Sequence, residues 1–87
     1  MLSLDIPVTL NSVNAAGKDA DFAGYAEFVF LGGQASVKLS DEQFKALSGR
    51  VGEDMVCVFG VTVKTVTLAK TWNASVFLPD RLIEIKS

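Results

Sequence analysis

One helix signal stands alone between two groups of alternating segments, and that isolation restricts the possible folds more than any other feature of the chain. Ser40 can cap a first turn, Gln43 lies three residues on and can reach back to it, and Phe44 and Leu47 give one apolar edge before Gly49 supplies a stop. Asp41 and Glu42 fall in that first turn, where negative side chains complement the helix dipole. The remaining regular structure must be strand.

Leu2, Leu4, Ile6, Val8 and Leu10 alternate with Ser3, Asp5, Pro7, Thr9 and Asn11, a period of two that places the apolar side chains on one face. Pro7 has no N–H to give a ladder, so its side of the strand is expected to be an edge or a bulge. Tyr25 to Leu31 reads as a second strand, Gly32-Gly33 as a two-residue connection suited to positive φ, and Gln34 to Leu39 as a third strand with Ala35, Val37 and Leu39 on one face. Phe28, Phe30 and Phe59 alternate in strands and are expected in the core. Met55 to Leu68 is apolar on both faces at first and then alternates. It is too long to stay straight in a small barrel, and Gly60 is where it is expected to bend or break. Its apolar excess fits either a subunit interface or a strand covered on both sides. Val76 to Ile85 closes the chain, with a turn-like Pro79-Asp80 inside it.

Strands, one short helix, then strands is the chain order of an all-β, five-stranded OB-fold barrel with its helix between strands 3 and 4. Eighty-seven residues, 49% of them hydrophobic, suffice for one modest core, so residues 1–87 are read as a single domain. Between the first two strands, Ser12 to Gly24 turns to Asn, Ala, Gly, Asp and Lys with little to bury. That stretch reads as a loop or a projecting hairpin arm, either a binding element or a connection without a role.

Catalysis has little to work with. The chain holds no histidine, which removes the usual neutral-pH proton carrier and the usual zinc sets, and Cys57 is alone, which excludes an internal disulfide. Ser48-Gly49-Arg50-Val51-Gly52 is not a nucleophile elbow, and no glycine loop is placed to cradle phosphate. Asp19-Ala20-Asp21 with Gly24 begins like a calcium loop, but Ala23 and Phe30 stand where ligands are needed. The acid pairs Asp41-Glu42 and Glu53-Asp54 belong to a helix start and a turn. No enzyme activity, metal or cofactor is expected. The opening Met1-Leu2-Ser3-Leu4-Asp5 has neither a basic start nor an unbroken apolar run, which predicts a cytoplasmic chain with no membrane association. The sequon Asn73-Ala74-Ser75 is then expected to stay unmodified.

What remains is binding. Trp72 sits in the polar segment Lys70 to Ser75, two residues after a lysine, and such a ring can lie under a nucleobase while the ammonium meets a phosphate. The competing expectation folds the ring back over the barrel or packs it across a dimer contact. Tyr25 is a second stacking candidate and Phe22 a weaker one. Lys18, Lys38, Lys64, Lys70 and Arg81 could line a strip of phosphates. The net charge of −2 works against long-range attraction of nucleic acid, but its distribution is uneven. Residues 1–30 set one cation against four acids, whereas residues 55–87 set four cations against two.

The order of these features resembles the small single-stranded-DNA-binding proteins of filamentous phages, the gene V family. The likeness rests on the length, on a glycine-containing arm that ends in an aromatic from Gly17-Lys18 to Tyr25, and on Phe28-Val29-Phe30-Leu31-Gly32 leading to Val37-Lys38-Leu39. Above all it rests on the ending Asp80-Arg81-Leu82-Ile83-Glu84-Ile85. The resemblance implies an OB barrel that dimerises and coats single strands cooperatively, without sequence preference, during phage DNA replication in a bacterial host. It implies an arm from Asn14 to Tyr25 with Lys18 and Tyr25 at the DNA, an aromatic loop from Lys70 to Ala74 carrying Trp72, and Arg81 as the basic residue after the aspartate. The arm departs from that pattern in having one lysine and two aspartates where the family carries several arginines. The alternative expectation is an acidic interaction barrel, a phage or plasmid accessory factor that binds a host protein.

Overall fold

A computed structural model describes residues 2–86; Met1, where the reading of the N-terminus begins, lies outside them. The chain runs β1 (Leu2–Ala15), β2 (Gly24–Phe30), β3 (Gly33–Leu39), α1 (Asp41–Leu47), β4 (Asp54–Ala69) and β5 (Trp72–Ile85). The strands pair antiparallel in the order β3-β2-β1-β4-β5, and β3 returns against β5, so the sheet curls into a nearly closed barrel. This is the OB-fold barrel that the segment order predicts, with α1 between the third and fourth strands.

The interior is filled from every strand. Leu10, Phe28, Leu39, Leu47, Cys57 and Phe59 are enclosed, and the Phe28 and Phe59 rings meet edge to face at 5.3 Å. Each of these leucines and phenylalanines contributes about 1.5–3 kcal/mol relative to its exposed state. Phe30 is only partly buried, packed against the rim of this cluster.

A bulge in β1 explains how one strand serves two neighbours. Leu10 pairs with Phe28 but Ser12 pairs with Glu27, leaving Asn11 as the extra residue. The apolar positions are even-numbered up to Leu10, and the next inward residue, Val13, is odd-numbered. The bulge resets that phase, since a one-residue slip moves side chains to the other face. The Pro7 expectation also holds. Pro7 stands opposite Val56 of β4, whereas pairing with β2 begins only at Thr9. Leu10 exchanges bonds with Glu53 and Gly52 on the β4 side. Bond direction alternates along an antiparallel strand, so Pro7 turns its donorless nitrogen to the unpaired side.

The helix forms as its sequence predicts. Ser40 Oγ accepts from Gln43 N at 3.2 Å, Gln43 Oε1 accepts from Ser40 N at 3.0 Å, and Gly49 follows the helix at a φ of +88°. Leu47 plugs the core. The free Nε2 of Gln43 donates to the carbonyl of Leu82 at 2.8 Å, linking α1 to β5.

Several boundaries differ from expectation. The turn between β2 and β3 is Leu31-Gly32, not Gly32-Gly33: Gly32 takes a φ of +97°, and Gly33 already pairs with Phe30. Ser12 to Gly24 is not all loop, because Ser12 to Ala15 continue β1 against Glu27 to Gly24 and only residues 16–23 connect the strands. β4 does not break at Gly60. It runs on for 16 residues, with ladder irregularities on either side of Gly60. Pro79-Asp80 is a bulge rather than a turn, since Arg81 pairs with Gly60 and Pro79 with Val61, leaving Asp80 extra. A proline that cannot donate favours such an interruption. The Lys70–Ser75 loop shrinks to a turn at Lys70-Thr71, with Trp72 already paired to Ala69.

Candidate nucleic-acid interface

Two regions gather the aromatic and cationic residues. The first lies on the outer surface of β1, β2 and β3, where the register sets Asn14, Tyr25 and Lys38 side by side across three strands. Their neighbours Val13, Ala26 and Val37 point into the core, so alternation sends these three outward. The connection 16–23 folds over this row. Ala16 N donates to Ala23 O and Ala23 N to Leu39 O, which pins the end of the loop beside β3. Phe22 thereby meets Tyr25 edge to face at 4.9 Å, and the Lys38 ammonium lies 4.9 Å from the centre of the Phe22 ring. Tyr25 remains 42% exposed. Phe22, the weaker stacking candidate in the sequence, is thus the residue that joins the other two. Lys18 sits further out on the same loop, beside Asp19 and Asp21.

The second region is a two-stranded ribbon formed where β4 and β5 leave the barrel. From Thr62 to Leu78 every residue is exposed except the half-buried Ala74, and the molecule is drawn out to 46 Å along its longest axis. Trp72 stands at the tip, next to Lys70, with 67% of its surface exposed. The ring therefore does not cap the barrel. Lys64 lies midway along the outer face, opposite Val76. Arg81 lies at the root, one residue before Leu82, whose carbonyl Gln43 holds, so the α1–β5 link connects the end of β3 to the base of the ribbon.

Ion pairs divide the eight cations of the chain. Arg50 pairs with Glu53 at 3.0 Å, Lys86 with Asp5 at 2.7 Å and Arg81 with Asp80 at 3.7 Å. The Thr62 hydroxyl bonds Asp80 at 2.6 Å and, with a smaller effect from Arg81, holds that carboxyl below its usual range. Arg81 is thus partly neutralised where it stands. Among the described residues Lys18, Lys38, Lys45, Lys64 and Lys70 have no ion-pair partner, and all but Lys45 are candidates from the sequence. Lys45, on the last turn of α1, complements the negative end of the helix dipole.

The pocket-forming surfaces are open rather than enclosed. A concavity of about 560 Å³ adjoins the first region, bordered by Asp21, Phe22, Lys38, Ser40 and Asp41. A groove of about 570 Å³ on the far side of β1 is mostly apolar and includes Pro7, Val29, Leu31 and Val56. No cluster of metal-ligating side chains occurs among the described residues, and none of their helices is long and apolar enough to cross a membrane. The arrangement offers aromatic faces and separated positive charges, the groups with which a barrel surface holds an unpaired polynucleotide. Comparison with known proteins gives no match to a family model, a characterised protein or a solved structure.

Proposed function

We propose that this protein binds single-stranded DNA and coats it without sequence specificity, acting as a homodimer in phage DNA replication in the cytoplasm of a bacterial host. The observation that carries the reading is the contact cluster of Phe22, Tyr25 and Lys38, two aromatic rings and an ammonium on the outer barrel surface, assembled from a loop and two strands. Bases stack on such rings whatever their identity, at roughly 1–3 kcal/mol each, while lysines meet the phosphates. Lys70 and Trp72 repeat the combination at the ribbon tip. The resemblance of the chain to the gene V family points the same way.

The dimer is supported by the ribbon. Two strands alone are marginal in water, yet this pair exposes Val63, Val66, Leu68, Val76, Phe77 and Leu78. Strand alternation divides them, with Val63 and Phe77 on the face continuous with the barrel interior and Val66, Leu68, Val76 and Leu78 on the other. A second copy laid against the Val63–Phe77 face through a two-fold axis would cover the same residues on both chains. The apolar groove containing Val29 and Leu31 favours a second reading, a barrel that docks a partner protein.

Titration with oligo-dT, followed through Trp72 emission, separates the two. Quenching that weakens as salt rises is expected, because bound phosphates release counterions. Absence of both quenching and a mobility shift at low salt overturns DNA binding and leaves the protein-docking reading.

A further inference from the structure

The concavity beside Phe22 carries more chemistry than stacking requires. Its border combines an aromatic residue, Phe22, a cation, Lys38, two acids, Asp21 and Asp41, and the hydroxyl-bearing Ser40. Ser40 Oγ accepts from Gln43 N, which leaves the hydroxyl hydrogen free to be donated. Neither carboxylate has an ion-pair or side-chain hydrogen-bond partner among the described residues. Phosphate binding does not explain them, because carboxylates repel phosphate. They can accept hydrogen bonds, and a nucleobase beside Phe22 presents its donors at its edge.

We infer that this concavity reads one base per protomer, favouring bases with an exocyclic amino group, cytosine above all, over thymine. A carboxylate accepts from the N4 amino group of cytosine, whereas thymine presents a carbonyl oxygen at that position, which meets the carboxylate acceptor to acceptor. Lys38 stays at the rim, where it supplies the phosphate contact. The volume of about 560 Å³ is ample for one base with its sugar outside. The inference rests on the proposed DNA-binding function and adds a modest preference at one position to otherwise sequence-tolerant stacking.

The test compares dC and dT oligomers of equal length on the full protein, since both are pyrimidines of similar size. About fivefold tighter binding of oligo-dC is expected, the lower end of what one base-edge contact provides. The variants Asp21→Ala and Asp41→Ala should raise affinity for oligo-dT by removing negative charge. If the carboxylates read the base, at least one variant also brings the dC to dT ratio towards one, an effect that charge removal alone does not produce. Equal affinity of the unaltered protein for both oligomers overturns the inference and leaves general DNA binding standing. A ratio that survives in both variants and in the double variant overturns it as well. Failure to bind either oligomer removes the DNA-binding reading and this inference together.

Discussion

Gln43 bonds Ser40 and Leu82 with opposite ends of one amide: its carbonyl oxygen accepts from Ser40 N at 3.0 Å, and its nitrogen donates to Leu82 O at 2.8 Å. One side chain therefore completes the helix cap and ties the helix to β5. Gln43→Ala should lose both contacts and destabilise the protein by about 2 kcal/mol, the sum of a weakened cap and an orphaned carbonyl. Gln43→Glu keeps the acceptor for Ser40 N but sets a carboxylate against Leu82 O. Urea denaturation should find Gln43→Glu no more stable than Gln43→Ala; native-like stability of the glutamate variant would show that the Leu82 bond contributes nothing.

Gly24 is held by space rather than by dihedral angle. A Cβ there would collide with the backbone oxygen of Asn14 and the ring of Phe44. Gly24→Ala is expected to cost about 1–3 kcal/mol, as overpacking does. Thermal unfolding should reveal it, and because Phe44 can swing only by giving up its core contact, the loss should appear together with reduced α1 helicity.

Trp72 and Tyr25 should separate folding from binding. Trp72 projects from the ribbon tip, so Trp72→Ala should leave the melting temperature of the barrel within a degree or two while weakening oligo-dT binding by roughly 1–3 kcal/mol. Tyr25→Ala should weaken binding by a similar amount and lose a little stability through its contact with Phe22. A Trp72→Ala protein that binds normally would place the DNA away from the ribbon.

Phe77 and Val63 pair across the ribbon, on the face continuous with the barrel interior beyond Val61. Leu2 and Leu4 lie on the same inward-facing row of β1, yet stay partly exposed. Phe77→Asp should abolish self-association while the barrel remains folded. Sedimentation should give a dimer for the unaltered chain and a monomer for the variant; a monomer in both cases would remove the ribbon from the interface.

Cys57 predicts a loss of stability in alkali. Burial pushes its thiol from 9.0 up to about 11, with Arg50 pulling weakly the other way. A folded-state pKa above the unfolded value means that the contribution is complete below about pH 9 and is lost as pH rises towards 11. The stability difference between the unaltered protein and Cys57→Ala should therefore shrink by about 2 kcal/mol across that window. A difference that stays constant with pH would mean that the thiol ionises as readily in the fold as in the unfolded chain.

The strand segments and the helix were legible because their signals are local. Leu2 to Leu10 alternate without exception, and Ser40 with Gln43 carries the cap in four residues. The lengths of β4 and β5 were harder to read, since Pro79 and Gly60 signal an interruption equally well whether the strand ends or bulges. Within the candidate interface each aromatic and lysine could be named, but not their grouping. Phe22 resembles any loop aromatic until the bonds of Ala16 and Ala23 fold the loop onto β3.

Period-two alternation and one capped helix thus determined by themselves a β-rich chain with a single helix, because these properties depend on residues a few positions apart. Only the tertiary structure decided that Phe22, Tyr25 and Lys38 form one cluster, that Arg81 is bound to Asp80, and that Trp72 rides on a ribbon outside the barrel. Those relations depend on strand register and bulge position. Both are set by how the whole sheet closes around its core, a balance of packing that no short stretch of sequence contains.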